Sequence, residues 1–223
     1  MMKNELSALA ARIDHTNLKI NARWEDIRLT CDEAIKGGAA SVCIPPCFVK
    51  RASDYMGNAM KVCTVIGFPN GYNTTEMKCA EARQAIADGA EELDFVINIG
   101  MVKNKDWEAV DGELSALRSS CEGKVMKVII ETCALTDDEK IVLCGAVSKC
   151  GAEYIKTSTG FSTGGATAAD VALLRANVAE NVKVKASGGI RTVEFAQELV
   201  KLGADRIGAS AVLPVIIKEG ENI

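Results

Sequence analysis

The sequence predicts an α/β protein of the (β/α)8 (TIM) barrel class, a single domain over residues 1–223, on three observations. A short phrase recurs four times, as "KGGAASVCI" (36–44), "DGAEELDFVINI" (88–99), "CGAEYIKTS" (150–158) and "LGADRIGAS" (202–210). Each is a helix-to-strand junction: glycine supplies the left-handed residue that closes the last helical turn, and an apolar strand follows. Strand-like segments centred near 13, 42, 64, 95, 128, 155, 184 and 207 are spaced by about 20 to 33 residues, room for one strand and one covering helix. Neither G-x-G-x-x-G nor G-x-x-x-x-G-K-[ST] occurs, which argues against a doubly wound nucleotide-binding sheet.

In chain order, "ARIDHT" (11–16) gives the first strand, "SVCI" the second and "KVCTVIGF" (61–68) the third. "GFPNGYNTTE" (67–76) then reads as a loop on the functional face that ends in a helix cap at Thr75. "ELDFVINI" is the fourth strand, and "KNKDWEAVDGE" is a solvated helix face with Trp107 packed on the barrel exterior. "KVMKVIIET" (124–132) is the fifth. Thr136 and Glu139, at capping-box spacing, open the helix that follows it. "EYIKTS" is the sixth strand, followed by Thr167 and Asp170 before "VALLRANV". "VKVKASGGI" (182–190) is the seventh, followed by Thr192 before "VEFAQELVKL", and "RIGAS" is the eighth.

Length and a 48% hydrophobic composition allow a sizeable core, in one large domain or two small ones, so the repeat and not the composition selects the barrel. A formal charge of −4 with interleaved signs provides no basic stripe for nucleic acid. No apolar run approaches membrane-spanning length and the first residues carry charges, so the expectation is a cytoplasmic protein with no membrane partner. Nine cysteines without a C-x-x-C pair read as reduced core side chains, and a single histidine excludes multi-histidine metal sites and disfavours a serine–histidine triad.

Chemistry enters through parity. Inward-facing barrel residues come at every second position. That rule places Tyr154, Lys156 and Ser158 on one face, with Lys183, Lys185 and Ser187, with Lys127, Ile129 and Glu131, and with Asp94, Val96 and Asn98, opposite apolar partners such as Phe95, Val128, Ile155 and Val184. Amines and carboxylates in one interior must pair, so Lys127, Lys156, Lys185, Asp94 and Glu131 are expected to form one network. A purely structural salt-bridge cluster would satisfy the same pattern. Three lysines on adjacent strands favour chemistry instead: desolvation and a neighbouring cation both depress a lysine pKa, and a neutral amine attacks carbonyls. The reaction class indicated is Schiff-base chemistry, with Lys156 as the attacking amine and Asp94 with Lys185 as a proton relay.

Glycine-rich turns after strands seven and eight, "SGGIR" (187–191) and "GAS" (208–210), lie where barrels hold phosphate, and "STGFSTGG" after strand six could add hydroxyls and amides to the same rim. A phosphorylated substrate is expected. His15 is expected to fix the end of the first strand, Asp14 to reach the lysines, and Cys43 to be a core residue or to line the pocket.

Taken together, "IDHTNLK", "VCIPP", "GFPNGYNTTEMK", "DGAEELDFVINIG", "KVIIETCALTDDE", "GAEYIKTSTGFSTGGAT", "VKASGGIRT" and "RIGASA" resemble the deoxyribose-phosphate aldolase family of short bacterial or archaeal type, from residue 11 to about 212. The resemblance implies a cytoplasmic class I aldolase with no metal or other cofactor. Its reaction would be reversible cleavage of 2-deoxy-D-ribose 5-phosphate to D-glyceraldehyde 3-phosphate and acetaldehyde, in deoxyribonucleotide catabolism. It also implies a homo-oligomer, dimer or tetramer, whose small-molecule partner is the phosphosugar.

By the same resemblance Lys156 is the Schiff-base lysine, Lys185 the lysine that lowers its pKa and shares proton transfer, and Asp94 the acidic proton donor and acceptor. Lys127 and Asp14 match supporting positions, and Gly188, Gly189 and Ser210 match phosphate-binding positions. Ile20 stands where the family commonly has proline, Asn70 and Tyr72 where an aliphatic and a small residue are usual, and the chain ends at Ile223 without the longer tail of some members. A phosphosugar isomerase would need a glutamate base and no amine trio. A silent phosphosugar-binding barrel would be free to lose one of Lys156, Lys185 and Asp94.

Overall fold

The computed structural model describes residues 3–221, so the chain end at Ile223 lies outside the described residues. Eight parallel strands close a barrel in sequence order: β1 (Ile13–Thr16), β2 (Ser41–Ile44), β3 (Val62–Ile66), β4 (Glu92–Val96), β5 (Val125–Ile129), β6 (Tyr154–Lys156), β7 (Lys183–Ser187) and β8 (Arg206–Ala209). Helix α1 (Lys3–Ala10) precedes β1. Around the sheet run α2 (Trp24–Gly37), α3 (Val49–Met56), α4 (Thr75–Ala87), α5 (Ile99–Lys103), α6 (Trp107–Ser120), α7 (Asp137–Cys150), α8 (Ala168–Asn177), α9 (Val193–Lys201) and α10 (Val212–Glu221). All eight expected strand centres fall inside or at the edge of an observed strand. Among the described residues no helix is long and apolar enough to cross a membrane.

The helix boundaries follow from local chemistry. Thr136 and Glu139 form the expected reciprocal capping box on α7, and Thr167 and Thr192 accept from the amides of Asp170 and Phe195 at the starts of α8 and α9. The cap expected at Thr75 belongs to Thr74, whose hydroxyl accepts from the Met77 amide; adjacent threonines offer the same chemistry, and only the backbone angles separate them. Gly38 and Gly151 close α2 and α7 in the left-handed region, as the repeat requires. Trp107 packs half-buried against the outer core.

The pleat sorts side chains into two layers. Ile13, Val42, Phe95, Val128, Ile155, Val184 and Ile207 point outward into one continuous apolar shell beneath the helices. The inner positions carry a small apolar group, Cys43, Cys63 and Val65, and a dense polar set described below. Outer burial supplies the apolar free energy of the fold, at about 25 cal/mol per Å² removed from water. It leaves the interior available for costly groups.

A fully buried ion pair ties two helices of the outer layer together. Lys78 on α4, fully buried, donates to Glu113 Oε1 on α6 at 2.7 Å and to the Val96 carbonyl at 2.8 Å, while Glu113 Oε2 accepts from the Asn98 amide at 2.9 Å. The pair therefore holds the C-terminal end of β4. Lys78→Met would leave the Glu113 carboxylate buried without its cation and should cost about 3–5 kcal/mol in urea denaturation, most of it recovered on adding Glu113→Gln, which keeps an acceptor for Asn98. A loss below about 1 kcal/mol would show that the pair is not what fixes this strand end.

Candidate active site

Register brings the polar residues together. Asp94 on β4 pairs with Lys127 on β5, and Lys156 on β6 pairs with Lys185 on β7, which pairs with Arg206 on β8. Lys127 itself lies beside Tyr154, two residues before Lys156, so the tilt of the barrel sets Lys127 one layer deeper.

Asp94 is the hub. Its Oδ2 accepts from Lys156 Nζ at 2.7 Å and from Lys185 Nζ at 2.6 Å, while Oδ1 accepts from Lys127 Nζ at 2.9 Å and from the Cys63 thiol at 3.3 Å. Asp14 forms ion pairs with Lys185 and Arg206, each at 2.5 Å, and accepts from the Ser41 hydroxyl at 2.7 Å. Glu92 pairs with Lys127 at 2.7 Å and with Arg206 at 3.3 Å. Two groups of three potential metal donors, Cys43–Cys63–Asp94 and Asp14–Cys63–Glu92, fall within this set. The Lys127 ammonium already touches Cys63, Asp94 and Glu92, so a protein cation is paired with donors from both groups.

The network differs from the expected one in membership. Glu131 does not join it: the residue lies past the end of β5 in a left-handed conformation and binds Thr159 instead. Glu92 and Arg206 belong to it and were not anticipated. Both are legible by parity, since Glu92 shares that of Asp94 and Arg206 that of Gly208 and Ser210, but each lies at the start of its strand, before the strand centre.

The electrostatics also correct one expectation. Burial alone would favour neutral lysines, yet the Asp14 and Asp94 carboxylates outweigh it and hold the Lys185 ammonium above the usual lysine range. Lys127 is likewise held up by Asp94, Asp14 and Glu92 against its own desolvation. Burial pushes Asp94 upward, but Lys127, Lys156 and Lys185 together hold it well below the carboxylate range, and Asp14 is held low in the same way by Lys185, Lys127 and Arg206. Cationic crowding was expected to dominate. Carboxylates in fact dominate around Lys127 and Lys185, because three acids interleave with the four cations Lys127, Lys156, Lys185 and Arg206.

Above this set, at the C-terminal ends of the strands, opens a cavity of about 930 Å³. Of the three network lysines only Lys156 lines it; Lys127 and Lys185 are fully buried beneath. Gly188, Gly189 and Ser210 line the same cavity, as does Arg191, the cation that ends "SGGIR" and carries no periodic signal of its own. Gly188 and Gly189 have φ of 85° and 75°, a conformation glycine adopts without strain. His15 is buried with Nε2 2.7 Å from Glu33 on α2, in keeping with a role at the strand end. Cys43 is a buried inner-layer residue. Asn70 and Tyr72 bond to each other at 2.8 Å and do not line the cavity, so these departures from the family pattern stay off the pocket wall.

Comparison with known proteins agrees with the arrangement. Residues 8–214 match the model of the DeoC/LacD family aldolases. The chain is 48% identical over 207 residues to a deoxyribose-phosphate aldolase of Clostridioides difficile strain 630, covering 93% of this chain and 94% of that one. It is 50% identical over 204 residues to a deoxyribose-phosphate aldolase of Clostridium botulinum strain Alaska E43, covering 92% of each. Among solved structures, the deoxyribose phosphate aldolase of Aeropyrum pernix, described as a unique tetrameric structure, superposes with a TM-score of 0.89 at 34% identity, covering 97% of this chain and 92% of that one. With its closed parallel barrel and its lysine-lined interior, the chain belongs to the DeoC/LacD aldolase family.

Proposed function

We propose that the protein works as a single barrel domain that cleaves 2-deoxy-D-ribose 5-phosphate reversibly to D-glyceraldehyde 3-phosphate and acetaldehyde through a Schiff base on Lys156. The observation that carries this reading is that Lys156 is the one amine of the buried network open to the cavity. Attack by the Lys156 amine on the C1 aldehyde of the open-chain sugar, followed by loss of water, gives an iminium. Removal of the C3 hydroxyl proton then breaks the C2–C3 bond, whose electrons move into the iminium to form an enamine, and glyceraldehyde 3-phosphate leaves. Protonation of the enamine at C2 and hydrolysis release acetaldehyde and restore the amine.

The residues suit these steps by charge and distance. Four cations face three carboxylates, so the proton that Lys156 must lose is one whose departure brings the interior to charge balance. Lys185, held as an ammonium, and Lys156 share one oxygen of Asp94, at 2.6 and 2.7 Å, which makes a short route for protons between them. Lys127 and Asp14 keep Asp94 and Lys185 ionised from behind. Gly188, Gly189 and Ser210, with Arg191, would receive the 5-phosphate, since glycine amides at a strand end admit an anion closely. No step calls on a metal or other cofactor. The reading places the enzyme in the cytoplasm as a homo-oligomer, a state supported by the tetrameric Aeropyrum pernix structure.

The decisive test offers deoxyribose 5-phosphate and ribose 5-phosphate in parallel with a chelator present. Release of glyceraldehyde 3-phosphate from the deoxy sugar, undiminished by the chelator, is expected. Turnover that requires added divalent metal, or that favours ribose 5-phosphate, would overturn the reading.

A further inference from the structure

Glu131 is a buried carboxylate that no step above uses. It is one of two non-glycine residues with positive φ among those described, at 54°, a conformation that is costly for a side-chain-bearing residue and persists only where the surroundings enforce it. The residue is 4% exposed, and its partners there are neutral donors. Oε1 and Oε2 accept from the Thr159 amide at 3.4 and 3.3 Å, Oε2 also accepts from the Thr159 hydroxyl, and the Cys133 thiol lies 3.8 Å from Oε1. A buried anion is thus spent on gripping one residue of the loop after β6.

That residue sets the wall of the cavity. Thr159, Gly160 and Phe161 all line it, and the Thr159 hydroxyl accepts from the Phe161 amide at 3.1 Å. Gly160 rests directly on Gly188: a methyl added to Gly188 would lie 3.2 Å from the Gly160 Cα, and one added to Gly165 would lie 2.3 Å from the Gly188 carbonyl oxygen. The Ala166 amide donates to the Gly188 carbonyl at 3.0 Å. The backbone of the 159–166 loop and that of Gly188 therefore have one mutual position. Glu131 fixes it from the Thr159 side. Lys156, by contrast, is held by the sheet itself, through its carbonyl to the Ile130 amide and through the Thr157 amide to the Lys185 carbonyl, both at 3.0 Å.

We infer that Glu131 is a positioning residue for phosphate recognition: by clamping Thr159 it seats the 159–166 loop against Gly188, and so sets the distance between the anion-binding backbone and the Schiff-base lysine. The inference rests on the aldolase reading and on the assignment of the 5-phosphate to the Gly188–Gly189 turn. It makes Glu131 matter for substrates that carry the phosphate and not for the amine chemistry as such.

The test compares deoxyribose 5-phosphate with unphosphorylated 2-deoxyribose in wild type, Glu131→Gln and Glu131→Gly. Gln puts an amide donor against the donors of Thr159. Gly removes the carboxylate while relieving the left-handed backbone, and that relief offsets part of the stability lost with the hydrogen bonds to Thr159. In both variants kcat/KM for the phosphorylated sugar should fall by roughly 10- to 100-fold, chiefly through KM, as expected for loss of hydrogen bonds to a charged group. For the unphosphorylated sugar kcat/KM should stay within about twofold, and borohydride trapping of acetaldehyde on Lys156 should be unchanged. Retention of the wild-type preference for phosphate, an equal fall for both sugars, or failure of both variants to fold would each overturn the inference. A wild type that cleaves neither sugar would instead refute the aldolase reading.

Discussion

Lys156→Ala should give a folded barrel that forms no borohydride-stable adduct with acetaldehyde and cleaves deoxyribose 5-phosphate at least about 10⁴-fold more slowly than wild type, the scale of loss when a covalent nucleophile is removed. The fold should survive because the substitution corrects a surplus. Without Lys156, three cations (Lys127, Lys185 and Arg206) remain against three carboxylates (Asp14, Glu92 and Asp94), and Asp94 keeps two of its ammonium partners. The lost contact is the 2.7 Å pair to Asp94 at the floor of the cavity, where water can enter in place of the amine. Neither remaining lysine can substitute, since both are fully buried below the cavity and engaged by two or more carboxylates. Mass spectrometry of the trapped wild type should place the adduct on the peptide containing Lys156. An adduct on Lys127 or Lys185, or residual turnover within tenfold of wild type, would reverse the assignment of the nucleophile.

The fold was legible because barrel periodicity is written twice in this chain, once in the Gly–Ala junctions and once in the alternation of the strands. The alternation also carried most of the site: Asp94, Lys127, Lys156 and Lys185 fall on inward positions by parity alone, and the structure sets them within hydrogen-bonding distance of one another through Asp94. Parity failed where the strand stopped. Glu131 keeps the count of Lys127 but lies two residues beyond Ile129, in a left-handed conformation that aims its carboxylate at Thr159, and no periodicity survives such a residue. The charge state failed for a different reason. Counting neighbouring lysines ignores how carboxylates interleave with them, and Glu92 and Arg206, at the starts of β4 and β8, are what make the interior a nearly balanced lattice. The distances that decide a proton's owner exist only once eight strands have closed.

Asp94→Asn should separate the two halves of the chemistry. The variant keeps the shape of the hub but removes its charge, leaving Lys127, Lys156, Lys185 and Arg206 to be balanced by Asp14 and Glu92 alone. Adduct trapping on Lys156 should persist, because the amine still lines the cavity where the aldehyde enters. Turnover should fall by about 10²- to 10⁴-fold, since the route between Lys156 and Lys185 through the Asp94 Oδ2 is gone. Stability should fall by about 3–5 kcal/mol at neutral pH, the usual consequence of leaving buried charge uncompensated, which a barrel of ordinary stability survives.

The pH dependence of that stability difference tests the cause. Asp94 is held well below the ordinary carboxylate range in the folded protein, so its contribution is complete above the unfolded value of about 4 and is lost as pH falls through the depressed folded one. The gap between wild type and variant should therefore be constant from about pH 5 to neutrality and narrow below pH 4. A gap that widens on acidification would mean that Asp94 enters the fold protonated, and a variant that traps the adduct and still turns over normally would remove Asp94 from the proton path.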